Sequence, residues 1–161
     1  MTAAEDIFGR NEDMIFVSHY DSPLGMIYMA ADEDVLKGVW FEGQKYFASG
    51  LDKKETEDKE TPVLKQTKEW LDLYFAGKDP KFLPPLAPDG SEFRKEVWKI
   101  LLMIPYGKTM TYGEIGRKIA EMTGKKHMSA QAVGGAVGHN PISILIPCHR
   151  VVGTNGSLTG F

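Results

Sequence analysis

The stretch "TYGEIGRKIAEMTGKKHMSAQAVGGAVG", residues 111–138, holds two short helical patterns separated by a polar turn. Thr111 and Glu114 have the Thr-x-x-Glu spacing of a capping box, in which each side chain satisfies the other residue's backbone N–H. Ser129 stands where an N-cap belongs, just ahead of the Ala- and Gly-rich "AQAVGGAVG". Two short helices joined by a turn, the second with a small-residue face, predict a helix-turn-helix. Downstream, "VVGTNGSLTGF" (151–161) sets an Asn-Gly turn between β-prone pieces, and a hairpin in that place makes a winged helix. Gly134 and Gly135 each disfavour the second helix by about 1 kcal/mol relative to Ala. Either they let another helix pack closely, or they leave a bare face for an outside surface such as a DNA groove.

Upstream, "DGSEFRKEVWKILLMIP" (89–105) predicts a third helix, with Asp89 as cap and Glu92 completing a capping-box-like pattern. Phe93, Val97, Trp98, Leu101 and Ile104 form its apolar stripe, and Pro105 stops it. Before it, "KDPKFLPPLAPDG" (78–90) carries four prolines, which oppose helix and central strand, and is expected to connect two halves.

The first half predicts a small sheet and one helix. "MIFVSHY" (14–20) and "LGMIYMAA" (24–31) flank a "DSP" turn, and "VLKGVWF" (35–41) is a third strand. "LDKKETEDKET" (51–61) is expected to be a solvated, charge-dense loop. Pro62 opens a helix whose apolar positions are Val63, Leu64, Trp70, Leu71 and Tyr74, and Gly77 ends it. The expected class is α+β, with residues 1–88 as an N-terminal sheet-plus-helix domain and linker, and 89–161 as a winged-helix domain.

The chain has 161 residues, 42% of them hydrophobic, and a formal charge of -3, ordinary for a soluble globular protein. That total conceals an asymmetry. Residues 1–90 carry 10 Lys/Arg and 18 Asp/Glu, a balance of -8, while residues 91–161 carry 9 and 4, a balance of +5. A basic half suits a polyanion such as nucleic acid. No apolar run approaches the roughly 20 residues needed to span a bilayer. The opening "MTAAEDIFGRNED" is acidic and lacks the apolar core of a secretory signal, so a cytoplasmic setting is expected. The single cysteine excludes an intramolecular disulfide framework and a Cys-rich zinc site.

That cysteine, Cys148, lies in "NPISILIPCHRVVG" (140–153). A lone cysteine is often inert core filler. Here the run Ile142–Ile146 is too apolar for a surface loop, and Pro147 suits the first position of a helical turn. Cys148 in that turn would be favoured as a thiolate by the N–H groups and the helix dipole. His149 is a base through one intervening water, or a histidine bonded to a carbonyl. Asn140 is a turn residue or a clamp on the cysteine's backbone, and Tyr112 is core or a hydroxyl donor. Spacing alone leaves these alternatives open.

"IPCHRVVG", with "NP" and "YGEI" before it, resembles the DNA alkyltransferases that repair O6-alkylguanine, the methylated-DNA–protein-cysteine methyltransferases. The likeness extends to "YDSPLG", "GVWFEGQKYF" and "YFAGK" in the first half and to "FRKEVWKILLMIPYGKTMTYGEI" in the second, as in bacterial members. The resemblance implies a ribonuclease-H-like first domain and a catalytic winged helix. It makes Cys148 the acceptor in a single-turnover alkyl transfer from guanine O6, with no cofactor and no metal. His149 would deprotonate the thiol through water, Asn140 would brace the segment, and Tyr112 would offer a phenol to the departing purine. Pro147, Val151 and Gly160 would line the substrate pocket. Ser129, Ala130, Gln131, Ala132, Gly134, Gly135 and Thr154 would meet double-stranded DNA in the minor groove, with the alkylated base flipped out and the protein a monomer.

Two departures from the family pattern bear on activity. Gln131 stands where many members have an arginine, so weaker DNA binding or slower flipping is expected. Members also continue past the position of Phe161 into a Gly-rich loop and a helix with a relay glutamate. No carboxylate follows Cys148 up to Phe161, and a chain ending there is expected to transfer slowly or bind without turnover. The competing expectations are a non-catalytic winged helix that binds alkylated DNA, and a cysteine hydrolase pairing Cys148 with His19, His127 or His139.

Overall fold

The three β-prone runs at the start of the chain become adjacent strands. The computed structural model describes residues 14–44, 47–48, 51, 55–124 and 128–153. Its strands β1 (Met14–Ser22), β2 (Gly25–Ala31) and β3 (Leu36–Phe41) form an antiparallel meander. Cross-strand register places Val17, Ala30 and Gly38 opposite one another, and His19, Tyr28 and Trp40 likewise. The Trp40 indole lies over Gly38, where a Cβ would sit 1.9 Å from the ring. Gly38 is therefore required by close approach.

The expected loop at 51–61 contains a strand. β4 (Glu55–Asp58) pairs in parallel with β1, giving the order β3-β2-β1-β4. All four of its residues are exposed. An edge strand held by main-chain bonds alone needs no apolar alternation, so composition carried no signal for it. Its charges also discourage a further strand from adding to that edge.

Helix α1 (Pro62–Phe75) starts as the proline indicated, with the Thr61 hydroxyl accepting from Leu64 N at 3.3 Å. It packs across β1 and β2 through Val63, Leu64, Thr67, Trp70 and Leu71. The Tyr20 hydroxyl donates to Asp72 Oδ1 at 2.6 Å, tying β1 to α1. Burial and the Asp72 carboxylate push that phenol up to about 12. The proline-rich connector is irregular, but it docks on β3, with Leu36 N donating to Pro85 O and Ala87 N to Leu36 O. The chain divides into two units at this point, Met1–Ala87 and Pro88–Phe161.

In the second unit, α2 (Glu92–Leu102) starts at Glu92, and its cap is Ser91, not Asp89. The Ser91 hydroxyl accepts from Arg94 N at 3.2 Å, which leaves Glu92 one position into the helix instead of three. The chain ahead of the helix crosses the Trp98 ring at Gly90, where a Cβ would lie 2.6 Å from it. Trp98 is 2% exposed, and its indole N–H donates to Ala136 O at 2.9 Å. A buried indole needs such a partner, and this one joins α2 to α4 (Ala130–Gly138).

β5 (Met110–Thr111) leads directly into α3 (Tyr112–Thr123). Both bonds of the capping box form, Glu114 N to Thr111 Oγ1 at 3.0 Å and Thr111 N to Glu114 Oε1 at 3.2 Å. Thr111→Ala is expected to lower unfolding free energy by about 1 kcal/mol in urea titration. No change in midpoint would show that the box contributes nothing. Ser129 caps α4 through Ala132 N at 2.9 Å. Helices α2, α3 and α4 pack on one another, the helical arrangement that the sequence indicated. The Asn155–Gly156 hairpin, like Thr154 and Gly160, lies outside the described residues. Among the described residues no helix is long and apolar enough to cross a membrane.

Candidate active site

Residues 139–150 leave α4 and return to the edge of β5 through a chain of tight turns. His139 ends α4, its Nδ1 donating to Gly135 O at 2.7 Å. Asn140 follows, 5% exposed, and both ends of its amide are used. Oδ1 accepts from Ile142 N at 3.0 Å, and Nδ2 donates to Ile146 O at 2.7 Å. The first bond is an Asx-turn that carries the chain around Pro141. The second holds the far end of the apolar run.

Within that run Leu145 N donates to Ser143 O at 2.8 Å, with Ile144 between them at φ 70°. This is a γ-turn of positive φ, a rare and strained form. A β-branched residue there is a backbone outlier costing on the order of 1–3 kcal/mol. Ile144 is nonetheless buried, as are Ile142, Ser143, Leu145 and Ile146. Packing around the run and the Asn140 bonds outweigh the strain.

Pro147 has φ -82° and ψ 69°, and Cys148 N donates across it to Ile146 O at 2.8 Å. That is an inverse γ-turn. Proline fixes φ in this range and has no N–H to waste, so it precedes the helical turn instead of forming its first position. Cys148–Arg150 then make a single 3₁₀ turn, closed by Val151 N onto Cys148 O. β6 (Val151–Val152) pairs in parallel with β5, Val151 opposite Met110 and Val152 opposite Thr111. This ladder joins the strand that leads into α3 to the chain just after the cysteine turn.

The thiol is half-buried, and its ionisation runs against the sequence expectation. Burial pushes the Cys148 thiol above its ordinary value, outweighing the Asn140 amide and the N–H groups of Cys148 and His149. A three-residue turn has almost no dipole, and the cysteine's own N–H already bonds Ile146 O. The resting state is a protonated thiol. Burial, and then the Arg150 charge, push His149 below its ordinary value, which keeps the imidazole neutral and able to accept a proton.

Tyr112 is half-buried at the first position of α3, and its ring edge lies 3.9 Å from where a Gly134 Cβ would be. A Cβ at Gly135 would meet nothing within 4 Å. Among the described residues, then, no helix packs against either glycine closely enough to require it. Ser129, Ala130, Gln131, Ala132 and Gly135 are exposed, so α4 presents a nearly bare face with Gln131 near its start. Two residues of consequence escaped the sequence reading. Nothing in composition signals Ile144's positive φ. Nor does any local pattern single out Arg150, yet its Nη1 donates to Ile104 O at 3.0 Å.

Comparison with known proteins matches the same two units. Residues 15–88 match the model of the 6-O-methylguanine DNA methyltransferase ribonuclease-like domain, and 92–161 that of its DNA binding domain. A methylated-DNA–protein-cysteine methyltransferase of Methanosarcina acetivorans is 41% identical over 91% of this chain and 89% of its own. One from Haemophilus influenzae is 36% identical over 91% and 78%. The crystal structure of Mycobacterium tuberculosis OGT in complex with DNA is similar at TM-score 0.75 and 36% identity, covering 92% of this chain and 83% of that one. With both units matched in order and the relatives' identity spread over nine-tenths of the chain, the chain belongs to the methylated-DNA–protein-cysteine methyltransferase family.

Proposed function

We propose that this protein repairs O6-alkylguanine in double-stranded DNA by moving the alkyl group, once, to Cys148. The observation that carries this reading is the placement of Cys148 on a segment braced by Asn140 and laddered to the start of α3, where Tyr112 meets the bare face of α4. The α4 face enters the minor groove, and the alkylated base is flipped toward the cysteine. Ser129, Ala130, Gln131, Ala132, Gly134 and Gly135 meet the DNA there, and Thr154 beyond β6 adds to that contact. Backbone groups of Cys148 and Val151 hold the base edge, with Pro147 and Gly160 lining the pocket, and the protein acts as a monomer.

His149, kept neutral, takes the thiol proton through a water. The sulfur attacks the alkyl carbon in line, the C–S bond forms, and the C–O6 bond breaks with its electron pair passing to the purine. The Tyr112 hydroxyl hydrogen-bonds the purine as that charge develops. A thioether offers no return path, so each molecule reacts once. Because the thiol rests protonated, proton removal is part of the barrier, and the single-turnover rate should rise with pH toward the thiol range.

The test is a duplex containing O6-methylguanine, followed by peptide mass mapping. One methyl on Cys148 with stoichiometric loss of activity is expected. Tight binding with Cys148 unmodified would overturn the reading in favour of a non-catalytic lesion binder. Gln131→Arg is expected to tighten DNA binding at fixed salt, because a guanidinium adds charge and a stacking plane. Unchanged or weaker binding would remove Gln131 from the interface.

A further inference from the structure

We infer that Arg150 is a positioning residue for alkyl transfer, clamping the Cys148–Arg150 turn against the chain that follows α2; the inference rests on the repair reading above. An isolated 3₁₀ turn of three residues has little stability of its own. On its N-terminal side it is held through Ile146, whose carbonyl accepts from Asn140. On its C-terminal side the side-chain anchor is Arg150, which reaches 46 residues back to the carbonyl of Ile104.

Ile104 lies just past Met103, the C-cap of α2, where carbonyls carry the negative end of the helix dipole. The same guanidinium stands over the Tyr106 ring, 5.6 Å from its centroid. A planar, delocalised cation can bond a carbonyl edge-on while presenting its face to a ring, whereas an ammonium is a point charge. The clamp therefore fixes the turn in both distance and orientation. His149 lies between Cys148 and Arg150 in the turn, and the Arg150 charge joins burial in keeping its imidazole neutral. Loss of the clamp would let the turn shift, and loss of the charge would make His149 easier to protonate.

The experiment compares wild type with Arg150→Met, Arg150→Lys and Tyr106→Leu by two assays. One is single-turnover transfer from an O6-methylguanine duplex, with DNA affinity measured separately. The other is Cys148 alkylation by iodoacetamide across pH, which needs no DNA. Arg150→Met should slow transfer by roughly 10- to 100-fold, the scale of a small misplacement of reacting groups, while DNA affinity holds. Its acid limb should move to higher pH, because a His149 freed of the neighbouring cation protonates sooner. Arg150→Lys should restore the acid limb but only part of the rate. Tyr106→Leu, which keeps the arginine, covers the case in which Arg150→Met fails to fold, and should slow transfer several-fold with the acid limb in place.

An unmoved acid limb in Arg150→Met, or rates that fall only in proportion to the folded fraction, would overturn the inference. Should wild type take no methyl from DNA, the iodoacetamide profiles still decide it, and the repair reading alone falls.

Discussion

Asn140→Ala is expected to lower unfolding free energy by about 3 kcal/mol and to slow alkyl transfer by roughly 100-fold. The side chain is buried and makes two bonds to main-chain groups that are themselves buried. Truncation strands Ile142 N, at about 1–3 kcal/mol, and takes from Ile146 O one of its two donors, leaving it only the Cys148 N–H. It also frees the strained turn at Ile144, which sits between those two anchor points. Urea denaturation and single-turnover transfer measure the two effects on the same sample. Asn140→Asp separates them further, since it keeps an acceptor for Ile142 N but loses the donor to Ile146 O and sets a negative charge near the sulfur. That charge would raise the thiol pKa still more, so Asn140→Asp should need higher pH for the same rate. A variant with normal stability and normal rate would show that Asn140 is a bystander.

Replacing Gly134 and Gly135 together by Ala should move stability and DNA binding in opposite directions. Each helical glycine costs about 1 kcal/mol relative to Ala. The new methyl at Gly135 meets open space, and that at Gly134 makes only ordinary contact with Tyr112. Stability should therefore rise by about 2 kcal/mol in urea. On the proposed DNA face the same methyls prevent close approach of the helix backbone, and affinity should fall by roughly tenfold or more, equivalent to at least ~1.4 kcal/mol. A double variant that is both more stable and equally tight on DNA would place the interface elsewhere on the molecule.

These two variants sit at opposite ends of what the sequence discloses. The glycines are legible as an anomaly because helix propensity is local, and the structure adds that, among the described residues, only the Tyr112 ring comes near the space beside them. The caps at Thr111 and Ser129 were legible for the same reason, each being a contact over three residues. Asp89 misled because the cap rule fits any acceptor near a helix start, and the chain's passage across Trp98 decided for Ser91. β4 carries no apolar pattern, since an edge strand can be held by its main chain alone. The Trp98–Ala136 bond and the Arg150–Ile104 bond span 38 and 46 residues, and no local spacing encodes them. Ile144 is the sharpest case. Its β-branched side chain argues against positive φ, so only the surrounding bonds reveal why it is there. The ionisation of Cys148 is not legible either, because the motif suggests a helix start, whereas desolvation dominates at a turn this short.

That desolvation also bears on how long an unreacted molecule lasts. Peroxides and disulfides attack or are attacked by thiolate, not by thiol, and sulfenic and sulfinic acids form fastest where a cysteine is ionised and open. Cys148 is half-covered and held protonated, with no second cysteine in the chain to rescue it by forming a disulfide. On the proposed repair reading the sulfur is used only once, so a single stray oxidation would remove the whole capacity of the molecule. On that reading, the burial that slows the thiol's chemistry at rest also gives the molecule shelf life, keeping the sulfur reduced until DNA arrives.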